Sequence, residues 1–329
     1  MKNTLLYGAL VIVLFLIGFF IAQINSDEIQ IVKRSQILLG TIVEIQVKSN
    51  DEQKAEDAIT KAFAEVKRID DLFTTYNQSS SVWKINNSLD SVIYVDSEIY
   101  DLIVLCDSVT KISENCFDVS LDNLIKIWGF DSGNPHLPKK DSIELALTKC
   151  CWKNIKIGEQ NKIIKKNNVT LNFGAIAKGY AVDRAIDVIS NAGFTNALVN
   201  AGGEIKVVGS EWIVGIQHPR MTNEILKKNK LENTSIATSG DYEQYFELDG
   251  IRYHHILNPK SGYPAKGLQS VTIINKSNAY ADALATAVFV MGKEKGIKLI
   301  EQLENTEAML VDNDGKIIFS TGFEKYLVK

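Results

Sequence analysis

Cysteine, proline and histidine are all scarce in this chain of 329 residues, which has four, five and four of them. Cys150 and Cys151 are adjacent and cannot easily bridge each other, while Cys106 and Cys116 show no CxxC spacing. That leaves no disulfide framework, and the four read as buried free thiols. Positive charge is not in excess either. Lys and Arg number 36 against 40 Asp and Glu, a net charge of −4 that argues against a nucleic-acid partner. No low-complexity stretch divides the body, so it reads as one folded unit rather than a string of domains.

What is present begins with a single long apolar run over residues 4–22, preceded by Lys2 and followed by Asp27 and Glu28. It is long for a signal-peptide core and close to the length that spans a bilayer. The few flanking charges favour an N-terminus inside and a body exported. No cysteine follows the run, which excludes a lipoprotein-type anchor, and Gln23-Ile24-Asn25 is a poor cleavage site. Residues 1–26 are therefore expected to be a retained membrane anchor, with a cleaved signal as the alternative. Residues 27–329 are expected to form one domain on the extracytoplasmic face of a bacterial inner membrane.

Within that body, residues 37–47 read as a strand, alternating from Thr41 onward. Residues 54–73 read as an amphipathic helix with Ile59, Phe63, Val66, Ile69 and Phe73 inward. A second helix opens at Ser97 and runs through Val109. Trp128 and Phe130 lie in a loop and read first as core plugs. Ala197 to Val208 is strand, glycine turn, strand, and a hairpin turns around Asp314-Gly315. Helices and strands mix without regular βαβ alternation, which predicts an α+β fold.

The chain is organised around Leu171-Asn-Phe-Gly-Ala-Ile-Ala-Lys-Gly-Tyr-Ala-Val-Asp-Arg-Ala-Ile186. A β-type run at 169–171 turns through Gly174 into a helix with Val182, Ile186 and Ile189 on one side. Gly174 permits close backbone approach to a ligand, and Gly179 removes a side chain where a wall is needed. Lys178 sits in the first helical turn, where the helix dipole disfavours a cation. A bound anion resolves that conflict; a solvated lysine on an ordinary turn is the equal alternative. Two further clusters bear on the choice. Thr238-Ser-Gly-Asp-Tyr242 reads as a small polar loop, and after it His254 and His255 point to opposite faces of a strand. Asp282 and Thr286, four apart on an apolar helix, place two oxygens on one face. A helix cap and a back-bonded threonine would account for them; a hard cation carrying phosphate oxygens is the sharper reading.

Four segments in order resemble the FAD:protein FMN transferase (ApbE) family: Asn172 to Asp183, Asn200-Ala-Gly-Gly203, Thr238-Ser-Gly-Asp-Tyr242 with His255-Ile-Leu-Asn-Pro259, and Ala281-Asp-Ala-Leu-Ala-Thr286. Leu39-Gly-Thr41, Thr75-Tyr76, Phe117-Asp118 and Trp128-Gly-Phe130 fit its N-terminal half. The resemblance implies an intertwined two-repeat, T-fold-like α+β body. It also implies a Mg²⁺-dependent transfer of FMN from FAD to a threonine of a partner flavoprotein, with release of AMP. By position, Asp282, Thr286 and the Ala175 carbonyl would hold the metal. Leu39, Tyr76, Cys116, Phe117, Asp118, Asn172, Lys178 and Ile256 would meet FAD. His255, titrating near neutral pH, would take the threonine proton. The acceptor suggested by the resemblance is a membrane flavoprotein subunit of a respiratory ion-pumping complex. Leu39, Asn172 and Asn258 stand where members often carry Met, Asp and Asp. A metal-dependent FAD hydrolase and a non-catalytic anchored flavin binder are the rival readings; the second has no use for a metal pair.

The apolar run generates the first testable expectation. Washed membranes should retain the full-length protein, with the residues after about 27 open to protease added outside the cytoplasm. Release of a species truncated near residue 25 would instead identify a cleaved signal.

Overall fold

The computed structural model describes residues 29–328, so the apolar run at 4–22 lies outside the described residues. Among those described, no helix is long and apolar enough to cross a membrane. The chain opens with β1 (Gln30–Leu38), β2 (Thr41–Ser49), α1 (Glu52–Phe73), α2 (Ser81–Asn87), β3 (Val92–Tyr94) and α3 (Ser97–Ile112). Next come α4 (Asp122–Trp128), α5 (Lys140–Lys149), β4 (Ile155–Ile157), β5 (Lys162–Lys165) and α6 (Ala177–Asn191). Strands β6 (Ala197–Ala201), β7 (Glu204–Val208), β8 (Trp212–Gln217), β9 (Ile225–Leu231), β10 (Ser235–Gly240), β11 (Tyr245–Leu248) and β12 (Ile251–His254) follow. The chain closes with β13 (Leu268–Asn275), α7 (Asn278–Met291), α8 (Lys293–Ile300), β14 (Glu307–Asp312) and β15 (Ile317–Phe319).

Eight strands form one antiparallel sheet in the order β1-β2-β6-β7-β10-β13-β14-β15. Period-two alternation sorts its side chains between two cores. Val43, Ile45, Val199, Val271 and Ile273 join the main core with the inward faces of α1, α6 and α7. Leu198, Val207, Ile236, Ile274 and Met309 face the other way, against the β8–β9 ribbon and Phe323. The fold is α+β, as the mixture of elements predicts. Helix α1 buries Ile59, Phe63, Val66, Ile69 and Phe73 on its predicted face, and Asp51 caps it by accepting from the Lys54 amide.

Three local expectations are corrected. Residues 37–47 are not one strand but most of a hairpin, because Leu39 and Gly40 both take left-handed φ, 54° and 70°. Two such residues make the mirror-image turn that matches strand twist, though leucine rarely signals it. The expected strand at 169–171 is absent. The Leu171 amide donates to Asn86 Oδ1 at 2.7 Å and its carbonyl accepts from Asn86 Nδ2 at 2.8 Å, so a side-chain amide replaces a partner strand. Thr238 to Gly240 belong to strand β10 rather than a loop, with Thr238 Oγ1 2.9 Å from Thr272 Oγ1 on β13. Small polar residues stand in the sheet there because a helix lies close over them.

That helix is α7, and its contact with α6 is the tightest constraint in the body. A Cβ on Gly179 would lie 2.5 Å from the Asn278 carbonyl oxygen and 2.8 Å from the Asp282 Cβ. Asp183, one turn along α6, accepts from the Asn278 amide at 2.9 Å and the Ala279 amide at 3.0 Å. It thereby satisfies first-turn donors of α7, helped by Ser277. A third cluster surrounds Trp128, which is fully buried, donates to the Gly262 carbonyl and is ringed by Phe130, Phe246, Tyr253 and Tyr263. It is a core plug, as expected, but it ends helix α4 rather than lying in a loop.

The helix contact predicts a stability change. Gly179→Ala should destabilise the protein by about 1–3 kcal/mol, the usual range for overpacking, because the obstructing atoms include backbone. Urea denaturation would read this as a lowered midpoint; an unchanged midpoint would show that the helices part without penalty.

Candidate active site

A cavity of about 510 Å³ opens where the β1–β2 turn, the end of α1, the 172–178 turn, the end of β10 and α7 meet. All twelve residues singled out from the sequence line it: Leu39, Tyr76, Cys116, Phe117, Asp118, Asn172, Ala175, Lys178, His255, Ile256, Asp282 and Thr286. Much of the apolar lining comes from the N-terminal half, through Leu39, Phe73, Phe117, Leu121 and Ile125. The charged lining comes from both halves, through Asp70, Asp118 and Asp131 and through Lys178, Glu204, Glu243 and Asp282. Such a mixture, apolar walls with a few convergent polar groups, is typical of small-molecule sites.

The 172–178 turn is built locally. Asn172 Oδ1 accepts the Gly174 amide at 2.9 Å, an Asx turn that an Asp would also make. The chain then enters α6 with no capping side chain on Ile176. Asp282 supplies the cap across the helix contact, its Oδ2 accepting the Gly179 amide at 3.0 Å. Among the described residues, no backbone N–H donates to the Ala175 carbonyl. Thr286, one turn after Asp282, does not bond back to its own helix; its hydroxyl lies 3.2 Å from Ser239 Oγ.

Lys178 reaches Glu204 Oε1 at 2.7 Å and Glu243 at 4.0 Å. Burial works against its ammonium, but Glu204, Glu243 and Asp282 outweigh that and hold its pKa above the ordinary lysine value. Burial likewise pushes the Asp282 carboxyl up to about 8, with Glu204 adding to the rise and Lys178 opposing it. Glu243 is raised for the same reason. Glu204, 1% exposed, has one oxygen, Oε2, that is buried with no hydrogen-bond partner. The residues fit a hard divalent cation. A carboxylate, a hydroxyl and an uncommitted carbonyl are oxygen donors of the kind Mg²⁺ takes, and the carboxyls around them outnumber the one lysine that pairs with them. Among the described residues, no three His, Cys, Asp or Glu side chains converge as a self-contained metal cluster.

The two histidines divide as the strand period predicts. His254 is buried, with Nε2 2.9 Å from the Ala265 carbonyl. His255 lines the cavity, and its Nδ1 lies 3.3 Å from the Gln244 carbonyl. A carbonyl only accepts, so Nδ1 carries the proton and Nε2 has a free lone pair. The expectation that His255 titrates near neutrality is corrected: burial, reinforced by His254 and Lys178, pushes it down to about 4. Asp118 lines the cavity but spends its carboxylate inward, accepting from the Ser120 amide at 2.7 Å and the Trp152 amide at 3.1 Å. The Tyr76 hydroxyl donates to the Asp131 carbonyl at 3.2 Å, tying two loops together beside the cavity. Sequence reasoning missed Glu204 and Glu243. Both positions were readable, Glu204 directly after the glycine turn at 202–203 and Glu243 directly after the Thr238–Tyr242 segment.

With this geometry in hand, comparison with known proteins is direct. The ApbE family model matches residues 39–310. The FAD:protein FMN transferase of Klebsiella pneumoniae is 31% identical over 292 residues, covering 87% of this chain and 91% of the relative. That of Treponema pallidum is 28% identical over 349 residues, with 98% and 96% covered. Among solved structures, the ApbE protein of Thermotoga maritima superposes with a TM-score of 0.83 at 35% identity, covering 91% of this chain and all of that one. The apo flavinyl transferase ApbE of Pseudomonas stutzeri gives 0.81 at 29% identity, with 91% and 97% covered. Sequence and fold agree, and the chain belongs to the ApbE family.

Proposed function

We propose that this protein is an FAD:protein FMN transferase, which moves FMN from FAD onto a threonine of an acceptor flavoprotein and releases AMP. The observation that carries the reading is the convergence, in a member of this family, of Asp282, Thr286, Ala175 and Lys178 on one cavity large enough for much of a dinucleotide. A passive flavin binder has no use for such an oxygen set. Asp282, Thr286 and the Ala175 carbonyl would hold Mg²⁺, which when bound neutralises diphosphate charge and stabilises the leaving AMP. Lys178 and the α6 N-terminus add fixed positive charge on the same side. Leu39, Phe117 and Ile256 supply apolar wall for the flavin and exclude water from it.

In the transfer, the threonine Oγ forms a bond to the FMN phosphorus while the bond from that phosphorus to the AMP oxygen breaks. His255 Nε2 accepts the proton that the threonine gives up. Its low pKa keeps the imidazole neutral and so able to accept, and a bound diphosphate raises its basicity. Positioning and charge neutralisation do most of the work in such a reaction. The acceptor we propose is a flavoprotein subunit of a membrane redox complex, reached from the extracytoplasmic face where the N-terminal segment holds the body.

Three expectations follow for the metal and the base. Asp282→Ala should abolish Mg²⁺-dependent AMP release at a stability loss of only about 1 kcal/mol, the worth of the lost cap; full activity at limiting Mg²⁺ would remove Asp282 from the metal site. Because the Asp282 carboxyl must ionise to bind, Mg²⁺ affinity should rise with pH up to about 8 and fall roughly tenfold per pH unit below that. Calorimetric titrations at several pH values read this directly, and a flat profile would contradict it. His255→Ala should lower covalent flavinylation by roughly 10²–10⁴-fold with FAD binding little changed. His254→Ala should act mainly on stability. Equal transfer by both folded variants would show that the threonine needs no histidine.

A further inference from the structure

Glu204 has no part in the assignments above, yet it is the most constrained charge in the cavity. It opens β7 directly after Gly202 and Gly203, which take φ of 69° and 115°, and is 1% exposed. Its Oε1 accepts from Lys178 at 2.7 Å, while Oε2 is buried with no partner. A buried acceptor left without a donor costs about 1–3 kcal/mol, and more when it is charged. For the ionised carboxylate the missing partner is a donor, since a phosphate oxygen would be repelled.

Counting charge narrows the choice. Around Lys178 itself, Glu204, Glu243 and Asp282 when ionised leave a formal −2 against its one ammonium; Asp70, Asp118 and Asp131 also line the cavity. A divalent cation balances this, and Glu204, though not among the proposed donors Asp282, Thr286 and Ala175, is near enough for its charge to raise the Asp282 carboxyl. Mg²⁺ gives up its waters reluctantly and usually keeps several, each an O–H donor. Groups that hold such outer ligands tune metal affinity by one to two orders of magnitude.

We propose that Glu204 is a positioning residue with two simultaneous tasks: Oε1 fixes Lys178, and Oε2 accepts a hydrogen bond from a water on the bound cation. The inference rests on the metal reading given under the proposed function. It makes Lys178 and the cation parts of one unit, bridged by a single carboxylate.

The test is a double-variant cycle on the full-length protein, reading Mg²⁺ affinity by calorimetry in the presence of AMP rather than turnover. Glu204→Gln, which keeps the shape, should weaken Mg²⁺ binding roughly 10–100-fold. The loss should persist when Lys178 is first changed to Met. Glu204→Asp, charged but one methylene shorter, should lose affinity as well, and thermal melting of each variant checks folding. If the loss vanishes in the Lys178→Met background, Glu204 acts only by holding the lysine and the proposal is overturned. Unchanged Mg²⁺ affinity in Glu204→Gln overturns it too. A drop in FMN affinity measured without metal would assign Oε2 to a ligand hydroxyl instead, which also overturns it. Failure of the unmodified protein to bind Mg²⁺ would refute the metal reading itself, and the proposal with it.

Discussion

Everything in the site depends on how closely α6 and α7 approach at Gly179. A side chain there would collide with the Asn278 carbonyl, so only glycine lets the two helices meet. Once they meet, each satisfies the other's first turn. Asp183 of α6 accepts amides at the start of α7, and Asp282 of α7 accepts the Gly179 amide at the start of α6. Both aspartates are thereby fixed by backbone donors on a neighbouring element rather than by their own helix. For Asp282 the consequence reaches the cavity. One oxygen is held by Gly179, and among the described residues nothing donates to the other. The cap that completes α6 also orients a carboxylate in the cavity wall.

The same contact explains the electrostatics. Bringing α7 over the ends of β7 and β10 places Asp282, Glu204 and Glu243 around Lys178, with Glu204 and Asp282 buried and Lys178 and Glu243 partly open to solvent. Burial raises all three carboxyls, while their combined field keeps the lysine charged. Such an arrangement carries unfavourable desolvation free energy, which the cation proposed for the site would offset.

How much of this was legible in the sequence depended on whether the signal was local. The face of α1, the glycine turn at 202–203 and the Asp282–Thr286 spacing are local, and the structure reproduces them. The set of twelve lining residues came from matching motif order to a family, not from periodicity, and no pairwise spacing would have brought Leu39 to the same cavity as Asp282. Three readings failed for one physical reason, namely that a distant partner replaced the expected one. Asn86 satisfies Leu171 where a strand was expected, α7 covers small polar residues that resembled a loop, and burial with Lys178 depresses a histidine that looked ordinary. Glu204 illustrates the same limit from the other side. Its position after a glycine pair was visible, but its burial and orphaned oxygen exist only once α6 has delivered Lys178 beside it.

Leu39 shows where the chain gives up local comfort for the site. A leucine at φ 54° occupies a region that branched or bulky side chains seldom enter, and strain of this kind costs on the order of 1–3 kcal/mol. Glycine or asparagine would turn the hairpin with less strain, so turn chemistry does not account for the residue. Two features of the fold do. The Leu39 amide donates to Asp70 Oδ2 at 3.3 Å, which ties the turn to the end of α1, and its side chain packs on the main core while lining the cavity. A polar turn residue would leave that wall open to water beside buried carboxylates. The strained backbone is thus offset by apolar contact where the sheet's edge hairpin meets the cavity.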